Sequence, residues 1–301
     1  MTVSICTLAK GRGDHLSNLV RGLNAQSRQP DELVIAVMQD SAYDLPDTAF
    51  PVRQIIAGSG GIPLAAARNA AARAATSDRL IFLDVDCIPE PDFVVDYAGH
   101  LDANDVLLMG EVLYLPSGAT AGGIDFARFA EAGVKHSERA GPPVEPLGEC
   151  TDYRCFWSLN FAMRRTTFLA VGGFDEGYVG YGGEDTDFGR TVVEAGVPIH
   201  WVRGARAYHQ YHPHHMPPVH HVDSVIANAA RFRDKWGHFT MEHWLRAFTL
   251  MGLVALKDGE HVRLRDVSDA DLALTRQQED QPYASSATVL ALLEAPTKAA
   301  A

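Results

Sequence analysis

Apolar residues in this chain come in short unbroken runs separated by amphipathic stretches, and that alternation sets the expected fold. Val3 to Leu8 and Glu32 to Met38 are runs of the kind buried on both faces of a sheet. Val52 to Ile56 is a shorter run, and Arg79-Leu80-Ile81-Phe82-Leu83 is a fourth. Between them, Arg12 to Ala25 places Leu16, Leu19, Val20 and Leu23 on one helical face. After Gly58-Ser59-Gly60-Gly61, an alanine-rich helix is expected from Pro63 to Thr76, with Pro63 in the first turn, where its missing N–H does no harm. A helix near Pro91 to Leu101 and a strand from Val106 to Leu115 continue the series. Strands spaced by such helices predict an α/β fold: a mostly parallel sheet with right-handed crossovers, flanked by helices.

The later pattern is less regular. Pro116 to Glu149 is rich in Gly, Pro and Ala, holds one expected helix at Ile124 to Glu131, and otherwise reads as a mobile loop or lid. Phe156 to Arg164 reads as a strand, Thr166 to Val171 as a short helix ending at Gly172-Gly173, and Glu184 to Ala195 as a helix stopped by Gly196 and Pro198. Ile199 to Val202 and Ala205 to Tyr211 are expected to form a hairpin. Beyond Val219 the pattern is helical, over Val222 to Trp236 and Met241 to Leu256, and a loosely ordered tail is expected after Thr275.

At 301 residues, 47% hydrophobic and 21% charged, the chain can bury a real core in one large domain or two small ones. Its formal net charge of −12 argues against a nucleic-acid partner. It also means that a phosphate-bearing substrate needs a metal or local arginines. No apolar run approaches the length of a transmembrane span. The start of the sequence lacks the basic segment of a signal peptide, so a cytoplasmic protein with free thiols at its four cysteines is expected.

The fourth apolar run leads into Asp84-Val85-Asp86. In a strand both acids point to one side of the sheet, where they need a cation or hydrogen bonds; oxygen ligands suit Mg²⁺ or Mn²⁺. An Asp-rich turn ahead of the next helix is the plainer reading. Thr7 to Arg12 and Gln39-Asp40 close other strands, and ligands of open parallel sheets bind at such carboxyl ends. Arg68, in a small-residue helix, is a candidate for phosphate or ribose; Arg73, about 140° further round, is given a solvated role.

The stretch Tyr181-Gly182-Gly183-Glu184-Asp185-Thr186-Asp187 puts acids in a first helical turn. Capping accounts for that placement, and so does a general base at Asp185, although a helix N-terminus lowers a carboxylate's pKa where a base needs it raised. A histidine-rich stretch from His200 to His221 includes His209 at the end of an expected strand, and imidazole with carboxylate suits a divalent metal.

Taken in order, Thr7…Arg12, Asp40, Ala66-Ala67-Arg68-Asn69, Phe82-Leu83-Asp84-Val85-Asp86, Gly172-Gly173-Phe174-Asp175, Gly182-Gly183-Glu184-Asp185 and Tyr208-His209 resemble glycosyltransferase family 2 with the GT-A (Rossmann-like) fold, nearest its galactosyltransferase-like and N-acetylgalactosaminyltransferase-like members. The resemblance covers residues 1–215. It implies a GT-A domain there, with a nucleotide-binding half at 1–115 and an acceptor and catalytic half at 150–215. Residues 216–275 would be a C-terminal helical extension, able to support a homodimer, and 276–301 a flexible tail.

The resemblance implies an inverting, metal-dependent transfer of galactose or N-acetylgalactosamine from a UDP-sugar to a saccharide or other hydroxyl-bearing acceptor. Asp86 and His209 would hold Mn²⁺ or Mg²⁺, with His212 the alternative ligand if the register differs. Thr7, Arg12, Asp40, Arg68, Asp84, Gly182 and Gly183 would surround the donor; Asp185 would be the base, with Glu184 holding donor or acceptor. Trp157, Tyr181 and Asp187 are the acceptor candidates, with Tyr178 a further stacking ring. Thr186 stands where some galactosyltransferases carry a third acid. The rival readings are a sugar nucleotidyltransferase and a non-catalytic binding module on a degenerate transferase fold.

Overall fold

A computed structural model describes residues 2–58, 61–101 and 105–295. Ser59 and Gly60 of the glycine-rich stretch and residues 296–301 of the expected tail lie outside the described residues. The chain divides into two compact units, residues 1–179 with 184–211, and residues 180–183 with 212–301.

The first unit opens as expected, with β1 (Val3–Ala9), α1 (Gly13–Asn24), β2 (Glu32–Val37), β3 (Val52–Ile56), α2 (Leu64–Ala74) and β4 (Arg79–Leu83). It continues with β5 (Cys87–Pro89), α3 (Phe93–Leu101), β6 (Leu107–Met109), β7 (Val112–Tyr114), α4 (Phe126–Ala132), β8 (Val134–Lys135) and β9 (Leu147–Glu149). β10 (Asn160–Arg164), α5 (Arg165–Ala170), α6 (Glu184–Glu194), β11 (Ile199–Val202) and β12 (Ala207–His209) complete it. An eight-stranded sheet runs β3-β2-β1-β4-β10-β6-β11-β9. Its first four strands are parallel, and β11 is parallel to β6. β10 runs antiparallel between β4 and β6, and β9 antiparallel to β11. A second sheet runs β5-β12-β7-β8.

Four expectations are corrected here. Val106 to Leu115 is two strands, because Gly110 sits where a Cβ would lie 2.2 Å from the Ala205 carbonyl oxygen and 2.6 Å from the Tyr97 hydroxyl. The chain bends there, sending β6 to the large sheet and β7 to the small one. For the same reason β11 and β12 are no hairpin: each joins a different sheet, and Asp96 anchors the link between them by accepting from the Ala205 amide at 2.8 Å. Within residues 116–149 the expected helix is present as α4, but the rest is not one long loop, since it carries β8 and β9. β4 ends at Leu83, so Asp84-Val85-Asp86 is a turn, closed by the Cys87 amide on the Asp84 carbonyl at 2.9 Å, and strand alternation does not orient its acids.

Beneath that turn lies an aromatic core. Phe82 stacks on Phe161 at 4.4 Å and Phe174 on Phe188 at 4.1 Å, with Phe156 and Phe168 packed around them. Such offset ring pairs add to area burial, and here they tie β4 and β10 to the Gly173 corner and to α6. Gly173 has a left-handed φ of 68°, and a Cβ there would come 2.5 Å from Asn69 Oδ1. That close approach lets Asn69 bridge Phe174 in both directions, donating to its carbonyl at 2.8 Å and accepting from its amide at 2.9 Å.

The second unit holds α7 (Val222–Trp236), α8 (Glu242–Leu250), β13 (Val254–Lys257), β14 (Glu260–Arg263), α9 (Asp269–Thr275) and α10 (Ser286–Glu294). The helix expected over Met241 to Leu256 thus ends at Leu250, and a hairpin follows. Its turn is Asp258-Gly259, both at positive φ, the dipeptide that such hairpins favour. The stretch read as a tail contains α10. Among the described residues no helix is long and apolar enough to cross a membrane. All four cysteines are free thiols.

Candidate functional site

Three segments of the first unit meet at the Asp84–Asp86 turn. The small sheet sets one of them: β12 lies antiparallel to β5 with His209 opposite Cys87, and the Gln210 amide donates to the Asp86 carbonyl at 2.7 Å. This register brings His209 Nε2 to 3.5 Å from Asp86 Oδ1. Both residues are buried, at 7% and 6% exposure, and the Tyr114 ring of β7 stacks on His209 at 4.7 Å. From the other side, Gly11 and Arg12 take successive left-handed conformations after β1. The turn they make carries the Arg12 guanidinium onto Asp86 Oδ2. A carboxylate oxygen and an imidazole nitrogen on one buried wall suit a divalent transition metal such as Mn²⁺ better than Mg²⁺, which prefers oxygen alone, and the acid already draws a cation in the form of Arg12.

Arg68 centres the second cluster. It is 4% exposed, and the alanines around it let α2 approach the sheet closely. Its guanidinium reaches Asp84 Oδ1 and Glu184 Oε1, each at 3.2 Å, and lies 5.4 Å from the Phe174 ring centre. Burial works against its charge, but Asp84, Glu184 and Asp185 outweigh burial and raise its pKa. Asp84 is pushed up to about 6 by burial, with nearby Asp86 and Glu184 adding to the effect and Arg68 opposing it. Arg73, by contrast, is exposed and pairs with Glu176 at 2.9 Å.

Asp185 stands in the first turn of α6, where its Oδ1 accepts from the Thr186 amide at 2.7 Å. The helix terminus does not dominate its titration: burial first, and then the charge of Glu184, raise it to about 7. Burial here opposes the lowering expected of a helix N-terminus. Asp187 is buried and accepts from the Tyr178 hydroxyl at 3.2 Å.

Thr7 and Asp40 lie at or just beyond the carboxyl ends of β1 and β2. Thr7 is buried and its hydroxyl has no hydrogen-bond partner among the described residues, whereas Asp40 is exposed. Trp157 sits edge-on to His136 at 5.1 Å.

The remaining candidates belong to the second unit. Tyr181 stacks between His221 at 5.0 Å and Trp244 at 5.8 Å. Gly182 and Gly183 both have φ of 90°, and a Cβ on Gly182 would meet Met241 Sδ at 2.6 Å. His212 is the first residue of this unit after the break, and its ring lies 5.2 Å from that of His214. Sequence reasoning missed Asn69 as the brace of the Gly173 corner, although it adjoins Arg68 in the quoted motif. It also missed Tyr114 and His136, whose surroundings no local pattern announces.

Comparison with known proteins agrees with this geometry. Residues 4–121 match the family model described as glycosyl transferase family 2, and residues 144–215 match the N-terminal domain of galactosyltransferase. A validoxylamine A glucosyltransferase of Streptomyces hygroscopicus subsp. limoneus is 24% identical over 270 residues, covering 81% of this chain and 58% of that protein. Chondroitin synthase of Escherichia coli is 28% identical over 179 residues, covering 51% of this chain and 26% of that one. The chain therefore spans well under two thirds of the length of these relatives. Among solved structures, S. aureus TarS 1-349 in complex with UDP-GlcNAc superposes with a TM-score of 0.52 at 16% identity, over 77% of this chain and 67% of that one. GalNAc-T7 with UDP, GalNAc and Mn²⁺ superposes with a TM-score of 0.50 at 15% identity, over 70% and 43% respectively.

The fold is GT-A. Over residues 4–121 the chain is similar to glycosyltransferase family 2.

Proposed function

We propose that this protein transfers a sugar from a UDP-sugar to an acceptor hydroxyl with inversion at the anomeric carbon. The approach of His209 to Asp86, at 3.5 Å on a buried wall at the strand ends, is the observation that carries this reading. Asp86 and His209 would hold Mn²⁺ or Mg²⁺, with His212, close behind in the chain, the alternative imidazole. When bound, the metal neutralises charge on the departing diphosphate. The proposal also answers how a chain of net charge −12 accommodates a diphosphate.

The protein's own groups divide the remaining work. Arg12 exchanges its carboxylate partner for phosphate oxygens as the donor enters. Thr7 offers its hydroxyl to the nucleotide, Asp40 accepts from the uracil edge, and Gly182 and Gly183 admit the donor to the backbone. Arg68 holds Asp84 and Glu184 in place, so that Asp84 can meet ribose or donor sugar. Asp185, raised to about 7, takes the acceptor hydroxyl's proton as that oxygen attacks the anomeric carbon and the UDP bond breaks. Trp157 presents a ring to the acceptor sugar, whereas the Tyr181 ring is taken up between His221 and Trp244.

Galactose or N-acetylgalactosamine is the favoured donor sugar, supported by the match of residues 144–215 to a galactosyltransferase domain. UDP-sugars as donors are supported by the ligand named for the TarS complex. A thermal-shift screen of UDP-sugars with and without Mn²⁺, followed by measurement of UDP release, tests the reading. Metal-dependent stabilisation by UDP with UDP release is expected. No UDP binding and no release with any UDP-sugar overturns it.

A further inference from the structure

Arg139 is as deeply buried as Arg68 but forms no ion pair among the described residues. It is 5% exposed, and its Nε, Nη1 and Nη2 all lack a hydrogen-bond partner among the described residues. Its guanidinium lies 5.4 Å from the Trp157 ring centre and 5.1 Å from that of Trp201. Aromatic faces attract a cation, yet they accept none of its five N–H protons. The ionisable groups that bear on it most are the phenols of Tyr114 and Tyr97 and the thiols of Cys87 and Cys155, with no carboxylate among them. Burial accordingly pulls its pKa down. A buried, unpaired guanidinium is costly to keep, so its retention calls for a ligand.

Its position says which ligand. Ring contacts run unbroken from His209 to Tyr114 at 4.7 Å, from Tyr114 to His136 at 5.5 Å and from His136 to Trp157 at 5.1 Å, and so link the ring beside Arg139 to the candidate site. Trp201 belongs to β11, which stands three strands beyond β4 in the sheet, about 14 Å at ordinary strand spacing. The nucleotide end, at β1, β2 and β4, already has Arg12 and Arg68. Arg139 therefore faces the acceptor half. The turn that carries it is otherwise superficial: its amide closes on the His136 carbonyl at 3.1 Å, while Ser137, Glu138 and Ala140 are exposed. For a ligand to reach the guanidinium, that turn has to lift.

We propose that Arg139 is the receptor for an anionic group, a carboxylate or a phosphate ester, on the acceptor substrate. The proposal rests on the transferase reading and names the acceptor's chemical class. A planar five-donor fork suits either oxyanion.

The experiment uses the full chain with Mg²⁺ and UDP, and compares wild type with Arg139→Met and Arg139→Lys. Methyl glucoside, methyl glucuronide and methyl glucoside 6-phosphate serve as matched probes, read by thermal shift and by transfer from the working UDP-sugar. Wild type should favour one charged probe over the neutral one by about tenfold or more in kcat/KM. That ratio should fall towards one in R139M and be partly restored in R139K. Preference for the glucuronide identifies a carboxylate, and preference for the 6-phosphate a phosphate ester. Wild type that responds to no charged probe more than to the neutral one overturns the proposal. So does R139M if it lowers Tm and keeps the wild-type ratio, as a purely structural cation would. Failure of UDP itself to shift wild type instead overturns the transferase reading, and is seen before any acceptor is added.

Discussion

Asp86 and His209 lie far apart in sequence, yet one carboxylate oxygen and one imidazole nitrogen come within 3.5 Å because β12 pairs with the strand that follows the acidic turn. If these two groups bind the metal, Asp86→Ala should abolish metal-dependent UDP binding. His209→Ala should weaken it by on the order of 100-fold, the upper end of what loss of a supporting contact does at a metal site. Isothermal titration of UDP with and without Mn²⁺ measures both. Undiminished Mn²⁺-dependent binding in Asp86→Ala would exclude the site.

Arg12 shares that carboxylate, and its two roles oppose each other. Arg12→Ala removes a cation that competes with the metal, so Mn²⁺ alone should bind about tenfold tighter, the order of a nearby like charge at the protein surface. UDP should bind more weakly in the same variant, because a donor to its phosphates has gone. Electron spin resonance of free Mn²⁺, with and without UDP, separates the two effects. Equal changes in both would show that Arg12 does not exchange partners.

Asp185 must be ionised to act as a base, and its folded-state value of about 7 places that ionisation near neutrality. Transfer at saturating donor should rise with pH through about 7 and level off above it. Asp185→Asn should keep UDP affinity and lose about 10²- to 10⁴-fold in kcat. Linkage gives a second readout. Between the ordinary carboxylate value and about 7 the folded state holds the proton that the unfolded state has lost, so stability falls as pH rises through that window. Asp185→Asn should flatten this fall in a series of Tm values taken from pH 4 to 8. A slope unchanged from wild type would refute the assignment.

Arg68 neutralises two carboxylates at once. Arg68→Met should cost about 3 kcal/mol of stability, because the buried Glu184 and the partly buried Asp84 lose their cation. Urea unfolding measures this, and a loss under about 1 kcal/mol would mean that the cluster rearranges freely.

The first half of the fold was legible because β1, β2 and β4 are buried on both faces and α1 carries one apolar stripe. Leu16, Leu19, Val20 and Leu23 are all buried, as their spacing requires. The sequence also singles out Asp86, His209, Arg68 and Asp185, since acids, imidazoles and lone arginines in apolar settings need partners. The identity of those partners was not legible. Arg12 meets Asp86 through two left-handed residues, and Arg68 meets Glu184 across a long stretch of chain, so neither contact has a local signature. Arg139 was invisible for the opposite reason: it lies in a Gly- and Pro-rich stretch that carries no periodicity. The Asp258-Gly259 hairpin did carry a signal, but the apolar residues on both sides of it also fit a helix.

Gly110 does no chemistry, yet the crossing of β6 into β7 passes through it with no room for a methyl group. Tyr114, which packs on His209, hangs from the far side of that crossing. Saturation mutagenesis should therefore find a blind spot well away from any reacting atom, where even alanine silences the enzyme. Inhibitor resistance or altered specificity will not arise at such a position, because the path of the chain itself depends on it.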